Sequence, residues 1–325
     1  MNLFSPILNQ MVYLFAFIVI GYVLVKIKAL PGEACASLSK LESKLFIPAL
    51  VLSTFMNNFT TEKLGSGGLL LLLSSAILVV TVPLALLFSR LIFKSDKYLV
   101  KIATYGLTFS NFGYMGNAIM SSVFPDIFLE YSIFCMPMWV LIYMWGVPTL
   151  LIAGEDRKEG EKITLKERLK PLCNPMFAAM IIGIAVGITG LTQYIPGSIN
   201  NVIKVSGDCM SPIAMLLTGM TIAQSDLVKM LTKWQTYVLS LVRLILVPTL
   251  FIVIFAIVPK SEIINSTFLI CGLASVAMPL GLNTIVVPKG YGKDTTDAAS
   301  MALISHTLSI GTIPLMFLLL NTLVL

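Results

Sequence analysis

Long uncharged stretches recur along the chain and determine its predicted architecture. They include Asn2 to Val25, Leu64 to Ser89, Ile102 to Pro125, Tyr131 to Gly154 and Ile263 to Pro288. A helix needs roughly 20 residues to cross a hydrocarbon core of about 30 Å, and these stretches are long enough. Dividing the hydrophobic stretches at Pro and Gly turn signals predicts ten membrane spans, near residues 6–26, 36–56, 67–93, 100–124, 130–153, 174–193, 198–223, 230–258, 263–287 and 297–322.

The first stretch is predicted to be a span and not a cleaved signal peptide. It lacks a basic segment at its start, and it ends in Lys26 and Lys28 instead of a small-residue cleavage site. Composition supports the same class of protein, because 57% of the 325 residues are hydrophobic and only 12% are charged. So little polar surface cannot cover a soluble globule. The sequence therefore predicts an all-α polytopic membrane protein.

Lysine and arginine alternate between the loops on the two sides of the predicted membrane. One set of loops holds 18 of the 22 basic residues, whereas the opposite set holds Lys63 and Lys260, or three residues if Lys204 is included. The positive-inside rule makes the rich side cytoplasmic and places both the N- and C-termini outside. The net charge of +6 is then a feature of topology, and we expect no nucleic-acid partner.

Proline and glycine landmarks recur at a spacing of 164 to 166 residues. The pairs are Pro31-Gly32 with Pro196-Gly197, Pro48 with Pro212, Pro83 with Pro248, Gly116 with Gly281, and Pro148 with Pro314. Each predicted half contains five spans, and an odd number of spans inverts the second half in the membrane. We expect a 5+5 inverted repeat, with residues 1–153 and 174–325 as the halves and 154–173 as a cytoplasmic linker.

The fourth and ninth predicted spans are repeat mates, and both contain residues that disrupt a lipid-facing helix. The fourth carries the stretch from Asn111 to Asn117, with two glycines and two carboxamides, and the ninth carries Ser275 to Asn283, with Pro279 at its centre. Proline removes a backbone donor and breaks or kinks a helix. Interrupted helices at matching positions of two inverted halves are typical of secondary transporters. We expect both helices to break and to cross near the midplane.

Two such breaks would bring the positive ends of two half-helices together, which favours an anion without a cationic side chain. The candidate binding residues are Asn111, Gly113, Gly116, Asn117, Met278, Pro279 and Asn283. For Asn111 and Asn117, capping of the broken helix ends is the alternative, and the two roles are compatible.

Arg243 and His306 are candidates for coupling or charge balance within the predicted spans. The alternative for Arg243 is neutralisation of the carbonyls of a broken helix, and for His306 a hydrogen bond that packs helices together. Lys204 and Asp208 lie one helical turn apart and are expected to pair with each other.

Other chemistry receives little support from the sequence. The five cysteines are scattered and read as packing residues, and we expect no metal and no cofactor. The fourth, fifth, ninth and tenth spans have no Asp or Glu at depth, which disfavours a carboxylate-based cation exchanger. The single histidine and the absence of a GxSxG elbow disfavour a membrane-embedded enzyme.

Three stretches resemble the auxin efflux carrier family, whose bacterial members include malate-permease-like proteins. They are Phe46 to Leu50, with its Pro-Ala-Leu signature; Ser110 to Gly116; and Ala274 to Asn283 followed by Gly290 to Asp294. The similarity extends over essentially the whole chain. One departure is Asn117-Ala118, where the family has a proline shortly after the position of Gly116.

This resemblance implies a scaffold made of spans 1, 2, 6 and 7 and a moving transport domain made of spans 3–5 and 8–10. It also implies elevator-type alternating access and a carboxylate substrate such as malate or an auxin-like acid. We therefore expect a secondary transporter or facilitative carrier of a small organic anion in the bacterial cytoplasmic (inner) membrane. Na⁺-coupled symport and a non-transporting receptor or sensor are the alternatives. Proton or Na⁺ coupling and a homodimer remain open.

Overall fold

The computed structural model describes residues 4–94, 96–152, 174–224, 226–259 and 264–325, and these are almost entirely helical. Within these ranges there is no β-strand, and the single β-bridge joins Ser110 to Leu280. The predicted linker, residues 154–173, lies outside the described residues.

Helices from the first half of the chain are repeatedly interrupted by short π-helical or non-helical segments. In chain order they are α1 (Phe4–Lys26), α2 (Ala34–Leu41), a π-helical turn (Glu42–Phe46), α3 (Ile47–Asn58), α4 (Thr61–Phe93), α5 (Lys97–Thr108), a second π-helical turn (Phe112–Gly116), α6 (Asn117–Val123), α7 (Phe128–Phe134), α8 (Met136–Leu141) and a longer π-helical segment (Ile142–Ile152).

Helices from the second half show similar interruptions. They are α9 (Pro175–Thr189), α10 (Gly197–Asp208), α11 (Met210–Ala223), α12 (Leu227–Thr232), α13 (Trp234–Leu241), a π-helical turn (Val242–Leu246), α14 (Val247–Ile257), α15 (Ser266–Ala277), α16 (Asn283–Gly290) and α17 (Thr296–Leu323).

Several helix ends are fixed by side-chain caps. The carboxylate of Asp96 accepts a hydrogen bond from the Leu99 amide at 3.0 Å at the start of α5. Asn174 and Asn265 cap α9 and α15 in the same way, through the amides of Phe177 and Phe268. Each cap satisfies an amide that the helix itself leaves unpaired. Gly190 ends α9 with a φ of 70°, a conformation that glycine adopts without strain.

Five helical segments in the described residues are long and apolar enough to cross a membrane. They are Phe4–Lys26, Leu70–Phe93, Gly197–Ala223, Trp234–Ile257 and Thr296–Leu323. A sixth forms if Pro125–Phe134 and Met136–Ile152, which meet at 42°, count as one span. Helices α9 and α15 are apolar but shorter. The multi-pass character is therefore present, whereas the number of ten spans and the location of the termini stay predictions.

Glycines bring one group of helices into backbone contact. A Cβ at Gly21 of α1 would clash with the Leu216 backbone of α11, and a Cβ at Gly219 of α11 would clash with the Ile18 backbone of α1. Likewise, a Cβ at Gly207 of α10 would lie 2.9 Å from the Leu50 backbone of α3. Small residues of this kind allow helices to pack closely where lipid provides no hydrophobic driving force. Helices α1, α3, α10 and α11 therefore form a closely packed group.

The two interrupted helices cross at their breaks, as the sequence predicted. Helix α5 ends at Thr108 and α15 at Ala277, and helical structure resumes at Phe112 and Asn283. Between these ends the main-chain N–H of Asn111 donates to the Pro279 carbonyl at 2.8 Å. The Ser110 hydroxyl donates to the Ser275 carbonyl at 2.6 Å. The break in the first helix thus occurs before Gly116, at Phe109 to Asn111, and needs no proline at residue 117.

We expect Gly281→Ala to destabilise this crossing. A Cβ at residue 281 would lie 2.9 Å from the Phe109 carbonyl oxygen, a backbone atom that cannot rotate away. Overpacking of this kind costs about 1–3 kcal/mol. Thermal unfolding of the purified protein in detergent should therefore occur at a lower temperature.

The matched control is Gly311→Ala within α17, where an added Cβ meets nothing within 4 Å. Alanine is the better helix former, so this variant should be neutral or slightly stabilising. Equal melting temperatures for the two variants would contradict the proposed tightness of the crossing.

Candidate functional site

A cavity of about 660 Å³ opens between the second π-helical turn with α6 and the closely packed helices α1, α3, α10 and α11. From the interrupted helix it receives Gly113, Tyr114, Asn117, Ala118 and Ser121. This is the side of the crossing that faces the first, second and seventh predicted spans.

The polar lining consists mainly of neutral hydrogen-bonding groups. Carboxamides come from Asn57 and Asn58 of α3, Asn117 of α6 and Asn200 of α10. Hydroxyl groups are added by Ser53, Thr54, Ser121, Ser132 and Ser211. Amide N–H groups and hydroxyl groups can donate to a carboxylate from several directions.

Two charged side chains lie on α10 at the cavity. Lys204 and Asp208 both line it and both are exposed. The sequence predicted that they pair with each other, and this prediction is wrong. Among the described residues the ion pair is between Lys233 and Asp297. Lys204 is therefore available as a cation for an anionic ligand.

Aromatic side chains form the remaining wall of the cavity. Trp139 stacks on Tyr143 with ring centroids 5.8 Å apart and meets Phe112 edge-on at 5.0 Å. A Cβ at Gly113 would lie 2.5 Å from the Trp139 ring, so glycine allows the indole to lie against the backbone. The aromatic packing holds this wall in place beside the polar groups.

The structure brings two of the seven predicted binding residues to the cavity. Gly113 and Asn117 line it, and the side-chain carboxamide of Asn117 has no hydrogen-bond partner among the described residues. The other five, which are buried at the crossing and do not line the cavity in this conformation, are Asn111, Gly116, Met278, Pro279 and Asn283.

Asn111 and His306, predicted separately, are in direct contact. The side-chain Nδ2 of Asn111 lies 3.0 Å from His306 Nε2, and His306 Nδ1 lies 2.9 Å from the Ala302 carbonyl. An amide nitrogen only donates and a carbonyl only accepts, so Nε2 accepts and Nδ1 carries the proton. His306 therefore links α17 to the interrupted helix at Asn111, which is the helix-packing alternative for this residue. Asn111 Oδ1 is buried without a partner.

Asn283 connects the ninth span to the cavity indirectly. The hydroxyl of Tyr114, a cavity residue, donates to Asn283 Oδ1 at 2.5 Å, and Asn283 Nδ2 donates to the Tyr105 hydroxyl at 2.8 Å. The Asn283 side chain therefore links Tyr114 to α16.

Arg243 neutralises the carbonyl ends of both interrupted helices. It is fully buried; its Nε donates to the Met278 carbonyl at 3.0 Å and its Nη1 to the Leu107 carbonyl at 2.8 Å. These carbonyls lie at the C-terminal, negative ends of α15 and α5. This geometry is the structural alternative considered for Arg243, and the side chain does not line the cavity.

Sequence reasoning missed the contribution of the closely packed helices to the cavity. Asn57, Asn58 and Asn200 lie in or beside apolar spans, and polar amides at such positions were a signal that could have marked them.

A family model described as "Membrane transport protein" matches residues 6–317 of the chain. The chain belongs to this family, which is that of the auxin efflux carriers. No curated protein matches the chain. Membership confirms the resemblance seen in the sequence and makes the chain a multi-pass membrane transport protein, in a family of transporters and not of enzymes.

In this family member we expect Arg243→Met to lose stability. It would leave the Met278 and Leu107 carbonyls without their donor, and each hydrogen bond from a charged group contributes about 1.5–3 kcal/mol. Arg243→Lys should be intermediate, because an ammonium lacks the planar fork that reaches both carbonyls. Thermal unfolding in detergent measures the order of the three proteins.

Arg90→Met is the control, since Arg90 is exposed at the end of α4. A melting temperature for Arg243→Met equal to that of Arg90→Met would show that the arginine does not hold the crossing together.

Proposed function

We propose that the protein is a secondary transporter or facilitative carrier of a small organic anion, with a carboxylate bound in the cavity beside Gly113 and Asn117. The observation that carries the proposal is the position of the cavity. It separates an interrupted helix of the predicted transport domain from α1, α3, α10 and α11, which belong to the predicted scaffold.

The lining suits an anion with an apolar body. Lys204 provides a positive charge, Asn117 and Asn200 provide amide donors, and Tyr13, Phe17 and Trp139 provide apolar surface. The helical segment from Phe112 to Val123 begins beside the cavity, and the positive end of its dipole adds to the attraction. A volume of about 660 Å³ lies within the range of small-molecule sites.

An elevator-type displacement fits the way in which the helices are joined. The Asn111–Pro279 hydrogen bond and Arg243 tie the two interrupted helices into one unit, whereas backbone contacts at Gly21, Gly207 and Gly219 tie the other group together. Two internally rigid groups with a cavity between them support movement of one group past the other. The ten-span inverted repeat, the outside termini and the cytoplasmic (inner) membrane location are part of this proposal.

Radiolabelled uptake into proteoliposomes tests the function. Malate and indole-3-acetate are the first probes, together with a thermal-shift screen of mono- and dicarboxylates with and without sodium. Saturable uptake supports a carrier, and sodium-dependent uptake would point to symport. Thermal stabilisation by a carboxylate without any flux would favour the receptor or sensor alternative and contradict the proposal.

We expect Lys204→Met and Asn117→Ala each to lower the uptake rate at subsaturating substrate about tenfold, the loss expected for one strong hydrogen bond to the anion. Asp208→Asn should leave uptake unchanged or increase it, because it removes a negative charge from the same cavity.

Lys97→Met is the charge-matched control, as Lys97 is exposed at the start of α5 and does not line the cavity. Uptake that falls equally in Lys97→Met and Lys204→Met would refute the assignment of the cavity as the anion site.

A further inference from the structure

Glu42 is a buried carboxyl group that the anion site does not use. Its exposed fraction is 0%, and neither carboxyl oxygen has a hydrogen-bond partner. It opens the π-helical turn Glu42–Phe46 between α2 and α3. Insertions of this kind occur often at functional positions in helices.

The surroundings of Glu42 come from both predicted groups of helices. Its π-helical turn packs against α9, α10 and α11 on one side and against α16 on the other. On the α16 side the Ser39 hydroxyl donates to the Val286 carbonyl at 2.6 Å, and a Cβ at Gly290 would lie 2.9 Å from Ser43 Oγ. The turn that begins at Glu42 therefore lies where α16 packs against α2.

Tyr114 connects this position to the cavity. Helix α11 packs against the turn of Glu42, and its Ser211 hydroxyl donates to the Tyr114 carbonyl at 3.3 Å. Tyr114 both lines the cavity and donates to Asn283. Helices α3, α9 and α11 carry no titratable side chain. The other packed elements and the residues next to them carry further titratable or charged side chains. Together with Tyr114 these are Cys35, Lys40, Lys44, Lys204, Asp208, Cys209 and Lys289. None of them forms a hydrogen bond or an ion pair with Glu42.

The magnitudes decide which form of the carboxyl occupies this place. A buried neutral polar group without a partner costs about 1–3 kcal/mol. An unpaired buried charge costs several kcal/mol more, even after relaxation of the protein. The neutral acid is therefore the form that this conformation accommodates.

We propose that Glu42 is a proton-binding site, which keeps its proton in this conformation and releases it to water when α16 and the turn at Tyr114 move away. Resting on the proposed carrier function, this makes anion transport proton-coupled. The proton leaves the Glu42 carboxyl oxygen for the water on one side of the membrane and a carboxylate remains. The carboxylate takes up a proton that comes from the other side before the next cycle, so each cycle moves one proton across. Low pH then favours the conformation described here, and high pH favours the displaced one.

Proton movement measured together with uptake tests the proposal. Wild-type protein in proteoliposomes with an internal pH dye should move protons when radiolabelled malate or indole-3-acetate is taken up. Glu42→Gln imitates the neutral acid, so it should fold, bind the same carboxylate by thermal shift, and show no linked proton movement. Its uptake should also lose the pH dependence of the wild type.

Glu33→Gln is the matched control, because Glu33 is exposed at the start of α2 and its side chain forms no cap. It should keep the wild-type proton movement and pH profile. Wild-type uptake without proton movement would overturn the proposal, and so would linked proton movement that persists in Glu42→Gln.

Infrared spectroscopy separates this proposal from the proposed function. A carbonyl band of a protonated carboxylic acid should be present at neutral pH in the wild type and in Glu33→Gln, and should be missing from Glu42→Gln. This result is expected whether or not either probe is transported. If neither probe is taken up, the carrier assignment fails for these substrates. Absence of the band from the wild type would overturn the proton site itself.

Discussion

The main-chain hydrogen bond between the Asn111 amide and the Pro279 carbonyl is the interaction on which the rest of the structure depends. Two helices stop in the middle of an apolar protein, and each stop leaves backbone groups that lipid cannot satisfy. The crossing pairs one amide with one carbonyl, and Arg243 supplies donors to two further carbonyls. With those groups paired, the chain can open a polar surface at Gly113 and Asn117 without exposing an unsatisfied backbone to hydrocarbon. The cavity is therefore a product of the crossing and not of the individual side chains alone.

The two interrupted helices contribute unequally to the cavity. The segment after the first break contributes directly to the cavity, whereas the segment after the second contributes through the Tyr114–Asn283–Tyr105 chain. His306 and Asn111 satisfy each other at one side of this arrangement. One interrupted helix thus lines the cavity and the other supports it from behind, in the conformation described here. Asn111 is hydrogen-bonded at the crossing and does not line the cavity in this conformation, so its contacts here are those of the structural role.

Much of this arrangement could be predicted from the sequence because its signals are local. Pro279, Gly116 and the paired asparagines predicted the interrupted helices, and the landmark spacing predicted that the two interruptions would meet. The origin of the other cavity wall could not be predicted. Asn57 and Asn200 line the same cavity only because α3 and α10 pack against each other at Leu50 and Gly207. The Lys204–Asp208 spacing was misleading for a related reason. A separation of one helical turn permits an ion pair, but rotamers and competing solvation decide whether it forms. The burial of Glu42 could not be predicted, because its sequence neighbours Lys40 and Lys44 suggest a solvated helix end. Tertiary packing buries it.

The backbone contacts of α1 with α11 have a consequence for how the protein is made. Gly21 meets Leu216, and Gly219 meets Ile18, so each glycine notch is filled by a helix from the other half of the chain. The bridge between Ser110 and Leu280 spans a similar distance in sequence. During synthesis the early helices therefore enter the bilayer before their partners exist. Gly21 of α1 then has no helix packed against it, and the first interrupted helix lacks the segment around Leu280 that it later crosses. Biogenesis of this fold requires the insertion machinery or lipid to shelter an incomplete half until the late helices arrive.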